Sequence, residues 1–115
     1  MLEKKKNNIS AIKILRKIHK RIIKNFLDIL ILAELRKGRS MSGHDFILLI
    51  QKKFRILISS GTAYSVLYVL ERNGLTEGMW NGRKKVYKLT DKGEKTINII
   101  LNAKEKIQSF MTTLL

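Results

Sequence analysis

Between Leu75 and Thr90 the chain changes its apolar period, and this one segment restricts the fold more than any other. On either side, hydrophobic residues recur every three or four positions, as on helix faces. In "LTEGMWNGRKKVYKLT" the run Val86-Tyr87-Lys88-Leu89 alternates instead, with Asn81-Gly82 ahead of it. Asn-Gly before alternating residues is the strongest short signal for a β-hairpin. One hairpin set among helices predicts a mainly α (α+β) class with a two-stranded ribbon. Trp80 lies just before the turn and reads as a wing-packing residue in preference to a ligand platform. Arg83, Lys84 and Lys85 follow it, so the tip is basic.

The helical segments can be bounded from their spacing. In residues 9–24, "ISAIKILRKIHKRIIK", Ile12, Leu15, Ile18 and Ile22 fall on one helical stripe with Lys and Arg between them. Residues 1–8 are expected to be frayed and solvated. Residues 26–37, "FLDILILAELRK", are apolar nearly all round and stop at Gly38, which predicts a buried helix. A turn cluster, "GRSMSG", covers 38–43. A third helix over 44–54 carries Phe46, Ile47, Ile50 and Phe54 on one side.

In residues 60–72, Ala63, Val66, Leu67 and Leu70 make one stripe. Ser65, Tyr68, Val69 and Arg72 lie opposite, with Thr62 and Tyr64 on the flanks. Ser59 or Ser60 is the natural N-cap, and Gly74 the natural left-handed terminator. From Thr90 a single long helix is expected. Its Thr96, Ile100, Ala103, Ile107, Phe110 and Leu114 recur at coiled-coil spacing, widened by Ile97, Leu101 and Met111.

A chain of 115 residues makes one domain, or a small domain with an appended helix, and its modest core would gain from dimerisation. With 24 basic and 9 acidic residues the net charge is +15, a field that attracts nucleic acid or an anionic membrane surface. Residues 1–25 hold nine Lys or Arg and one acid, more than half of that net charge. Their helix is open to several uses: a solvated face, a phosphate-contacting arm, a dimer-forming helix or a membrane-surface helix. The lack of aromatic anchors counts against the last.

The longest near-apolar run, Phe26–Leu35, is too short to span a bilayer, and no leader pattern is evident. A cytoplasmic protein without a membrane partner is expected. The absence of cysteine excludes disulfides and thiol catalysis, and suits a reducing compartment. His19 and His44 stand alone, so no metal is expected. No Ser/His/Asp set, paired carboxylates or Gly-rich phosphate loop is evident, so neither an enzyme nor a cofactor is expected. The Ile- and Lys-rich composition fits an AT-rich prokaryotic genome.

The order is helix, helix, turn, helix, polar-capped helix, hairpin with a basic tip, long helix. That is a winged helix-turn-helix with additional N- and C-terminal helices. It divides into a basic extension over 1–25, a DNA-binding domain over 26–90 and a dimerisation helix over 91–115. In such a fold the capped helix enters the major groove, where base edges carry a distinct donor and acceptor pattern. The wing's cations grip the backbone beside it. A helix that reads base edges needs small hydroxyls and an aromatic, while attraction comes from charge elsewhere.

Residues 26–93 resemble the PadR-like transcriptional regulators. The resemblance is carried by "LDILILAELRKGRSMSGHDF", "SSGTAYSVLYVLERNGL" and "KKVYKLTDKG", in that order and spacing. It implies a dimeric DNA-binding repressor with the C-terminal helix in the dimer interface. Ser60, Gly61, Thr62, Tyr64 and Ser65 match the DNA-reading end of the recognition helix, with Tyr68 beyond them. Arg83, Lys84 and Lys85 match the wing. Ile100, Ala103, Ile107, Phe110 and Leu114, joined by Ile18 and Ile22, are the expected dimer contacts.

The sequence departs from the family at two places. Serines stand before Gly61 and after Tyr64 where the family usually has proline, and Ser42-Gly43 replaces His-Gly, with His44 one place later. Some relatives bind flat aromatic molecules at the dimer interface. The only tryptophan here lies beside the wing, so no effector is assigned. A nonspecific architectural DNA binder and a protein–protein interaction module are the competing readings.

Overall fold

The computed structural model describes the backbone of residues 2–115 and the side chains of residues 10–115. Helix α1, Leu2–Asn25, continues almost without a break into α2, Leu27–Leu35. Phe26 marks the kink and still donates its N–H to Ile22 O at 2.9 Å. The expected fraying over 1–8 is not seen in the backbone, which is helical from Leu2. Met1 and the solvation of the side chains there lie outside the described residues.

Helix α2 buries Leu27, Ile31, Leu32 and Leu35, as its all-round apolar sequence requires. Its one buried acid, Glu34, is held by Lys37 at 3.0 Å. Past Gly38, in the left-handed region with φ +87°, the expected turn contains a short strand, β1, Met41–Ser42. Two residues are too few to show an alternating pattern.

Ser42 then caps α3, Gly43–Phe54, in a reciprocal box. The Asp45 N–H donates to Ser42 Oγ at 3.1 Å, and the Ser42 N–H donates to Asp45 Oδ2 at 2.9 Å. Helix α4, Ser60–Arg72, is capped by Ser59, whose Oγ accepts from the Thr62 N–H at 3.1 Å. It ends where Gly74 turns left-handed at φ +74° and Leu75 N–H reaches back to Leu70 O.

Strands β2, Thr76–Asn81, and β3, Lys84–Leu89, form the hairpin. Because β1 pairs with β3 (Met41 opposite Tyr87), the sheet has three strands in the order β1-β3-β2, not two. Asn81 pairs with Lys84, so the turn centres on Gly82-Arg83 and not on Asn81-Gly82. Gly82 at φ +65° takes the first central position, which suits a type II′ turn.

The expected single C-terminal helix is two: α5, Asp91–Asn102, and α6, Lys104–Leu114. They are separated by a bend at Ala103, with φ −95° and ψ 12°. Phe46, Leu27, Ile31, Ile50, Ile58, Leu67 and Ile97 fill the centre of the core. Ile97, expected to widen the seam, is therefore a core residue of the single chain. Gly93 in the first turn of α5 lies against the Leu75 carbonyl, where a Cβ would collide with backbone. Close approach at that point fixes α5 against the root of the wing.

Candidate nucleic-acid interface

Burial of Ala63, Leu67 and Leu70 turns the other face of α4 to solvent. Ser60, Gly61, Tyr64, Ser65 and Tyr68 are all exposed there, and Thr62 is half-buried in the cap. Tyr68 is 66% exposed, whereas the ring of Tyr64 stands against Gly43 of α3. A Cβ at residue 43 would fall 2.6 Å from the Tyr64 ring, so the glycine sets how the tyrosine stands.

The wing rises beside this face. Between α4 and the hairpin runs a cleft of about 500 Å³, lined by His44, Tyr64, Trp80, Arg83 and Lys84 among others. Trp80 is 71% exposed and lines the open cleft, where the sequence had suggested a wing-packing residue. It shares a sheet face with Gly78, Lys85 and Tyr87 but stands close to the tip of the hairpin, beyond the core that Tyr87 closes.

The three wing cations differ. Arg83 sits at the turn, exposed and without an ion pair among the described residues. Lys84 is exposed and 3.6 Å from Asp45. Lys85 is half-buried, with its Nζ 3.1 Å from Glu71 Oε1 on α4 and 5.3 Å from the centre of the Tyr87 ring. The bond to Glu71 raises the Lys85 pKa, and burial raises that of Tyr87. The Ser42 N–H holds the Asp45 carboxyl below the usual carboxylate range.

At the N-terminal end of α4 a second hollow of about 500 Å³ brings Lys20 and Lys24 of α1 beside Ser59, Ser60 and Thr62. Helix α1 is anchored for this by Arg16, whose Nη2 donates to Arg55 O at 2.6 Å. Arg55 ends α3 in the left-handed region at φ +58°. The apolar stripe of α1 is divided by the same anchoring. Ile12 and Leu15 border Phe54 and Ile56 at the end of α3, and only Ile22 borders the C-terminal helices. The sequence gives no sign of His44, which lines both hollows, or of the nearness of Lys20 to Ser60.

Elsewhere, Ile22 and Phe26 border an apolar groove of about 340 Å³ with Ile100, Leu101, Ile107 and Met111. Ile107, Phe110 and Leu114 are 44%, 65% and 63% exposed, and Ile18 and Ile22 are 42% and 40% exposed. Ile100 and Ala103 are half-buried.

A capped helix with a free polar face, a basic wing beside it and a three-helix core define a winged-helix DNA-binding regulator of transcription. The model of the "Transcriptional regulator PadR-like family" matches residues 31–99, and the chain belongs to that family. The family is one of transcriptional regulators.

Solved structures agree in fold. A PadR family regulator from Eggerthella lenta shares 22% identity over 92% of this chain and 96% of its own, with a TM-score of 0.73. A transcriptional regulator from Clostridium thermocellum shares 21% over 84% and 96%, at 0.71. A PadR-like regulator from Bacillus cereus shares 22% over 82% and 95%, at 0.69. No curated protein matches the chain. Among the described residues no helix is long and apolar enough to cross a membrane.

Proposed function

We propose that the chain is a sequence-specific repressor that binds duplex DNA as a homodimer. Helix 60–73 lies in the major groove and the wing, 76–89, on the backbone. The observation that carries this is the exposed row Ser60, Gly61, Tyr64, Ser65 and Tyr68 on a helix whose other face is core. Short hydroxyls and tyrosines can meet base edges, and Arg83 and Lys84 stand where the phosphates beside the groove would run. Lys20 and Lys24 extend the same basic face past the start of the helix.

The half-exposed seam of α6 with Ile18 and Ile22 supports pairing of two chains, which would present two reading helices to a palindrome. A dimer seated in the groove excludes other proteins from it, and repression follows from occupancy. Selection of bound duplexes from a random pool at physiological salt tests the reading. An enriched palindrome supports it. Uniform retention would favour a nonspecific architectural binder, and no retention a protein-interaction module.

A further inference from the structure

We infer that Lys85 is the wing's internal anchor and not one of its DNA contacts: paired with Glu71 across the root of the cleft, it fixes the angle between wing and recognition helix. The inference rests on the DNA-binding reading above, since that angle matters only if both elements meet one duplex.

Several observations converge on the pair. Lys85 Nζ stands 3.1 Å from Glu71 Oε1, and the two side chains keep only 29% and 35% of their surface in water. The ammonium also stands over the ring of Tyr87, which is 5% exposed. Across the hairpin, Gly78 leaves the space that the pair occupies. A Cβ there would overlap Lys85 Cε and Glu71 Oε2. Glu71 Oε2 is itself buried without a hydrogen-bond partner, and Lys85 is the one cation paired with this carboxylate among the described residues.

A phosphate that drew Lys85 away would leave a half-buried carboxylate unpaired beside a polyanion, so the exchange is unfavourable on both counts. Arg83 has no acidic partner among the described residues, and the partner of Lys84, Asp45, keeps the Ser42 N–H as a second donor. The neighbouring Lys84–Asp45 pair ties the same strand to α3, so β3 is bracketed by both helices of the motif.

The test uses the full chain, a short random-sequence duplex as probe, and binding measured across a salt titration. Arg83→Gln should lower the log–log salt slope by about one unit, as loss of a phosphate contact does. Lys85→Gln, Glu71→Gln and Gly78→Ala should each weaken binding several-fold with the slope unchanged. Gly78→Ala alters no charge, and the nearest atoms its Cβ meets are the flexible ends of Lys85 and Glu71, so it displaces the pair. Glu71→Gln is the sharpest arm. On electrostatics alone, removing an acid beside DNA tightens binding; removing half of an anchor weakens it.

A readout without DNA comes from Trp80, the cross-strand partner of Lys85 and the only tryptophan. Its fluorescence anisotropy should fall in the three anchor variants and not in Arg83→Gln. Exchanging the charges, Glu71→Lys with Lys85→Glu, should restore both signals. Tighter binding by Glu71→Gln, or a slope reduced by one in Lys85→Gln, overturns the anchor while the DNA reading stands. Unchanged Trp80 anisotropy in all three variants overturns it too. A parent chain that retains no duplex overturns the DNA reading and this role with it.

Discussion

Replacing Phe110 with alanine separates the two jobs a side chain on α6 could have. Within one chain Phe110 is 65% exposed, so it contributes little to the fold of the monomer. In the proposed dimer that exposed part enters the interface. Full burial of a phenylalanine gains about 1.5–3 kcal/mol, so the exposed two-thirds is worth roughly 1–2 kcal/mol for each protomer. Two-fold symmetry counts the loss twice, giving about 2–4 kcal/mol for the dimer.

At 1.4 kcal/mol per decade the dimer dissociation constant should rise roughly 30- to 700-fold. Sedimentation equilibrium of parent and Phe110→Ala over a concentration series measures it. Melting of the variant, compared with the parent when both are monomeric, should move by less than about half a kcal/mol, as at an exposed surface site. An unchanged dimer constant would move the interface off α6. A large loss of monomer stability with no change in association would mean that the seam belongs to the single chain's own core.

Gly93→Ala should destabilise the fold by about 1–3 kcal/mol, because the new Cβ meets the Leu75 backbone and not a movable side chain; a melting temperature equal to the parent's would refute the close approach. Asp45 has a folded pKa below its ordinary 3.8, so it stabilises the fold above that value and the contribution disappears as pH falls through the folded pKa. The stability gap between parent and Asp45→Asn should therefore be widest near neutrality and close in acid, and urea titrations from pH 7 to pH 2 would show a constant gap if the capping box carried no charge. Changing Lys13, Lys17 and Lys20 together to Gln should weaken DNA binding at low salt, reduce the salt slope and leave the dimer intact. Parent-like binding across the titration would make that ridge of α1 a solvated face.

The parts of the fold governed by one-dimensional signals were legible. The stripe Ala63, Leu67, Leu70 decides which side of α4 is buried, and so which side is free. Ser59 and Gly74 mark its ends because a cap and a left-handed terminator are local chemistry. What was not legible depends on partners distant in sequence. Strand β1 exists because β3 offers it an edge, and two residues carry no period. The hairpin turn shifted by one residue, to Gly82-Arg83, since Asn81 gains a ladder partner in Lys84. The bend at Ala103 interrupts a pattern that continues through it unaltered. Lys85 looks like its neighbours in a basic run; only the fold shows that Glu71, 14 residues earlier, is its partner.

These placements explain how a chain of net charge +15 can keep its reading helix nearly neutral. Helix α4 carries two charged residues, Glu71 and Arg72, both in its last turn, and Glu71 is matched within the protein by Lys85. The first two turns thus offer hydroxyls, a glycine and Tyr64, with no formal charge. A cation on that surface would attract every phosphate equally and would blur discrimination between base pairs. Placing the charge on α1 and at Arg83 and Lys84 lets attraction act from both flanks of the helix. In the proposed complex the uncharged face is then left to distinguish one sequence from another by hydrogen bonds and shape, which fall off within a single ångström of misplacement. Discrimination of that kind requires a fixed angle between helix and wing, and the half-buried pair at the root of the cleft is placed to hold it.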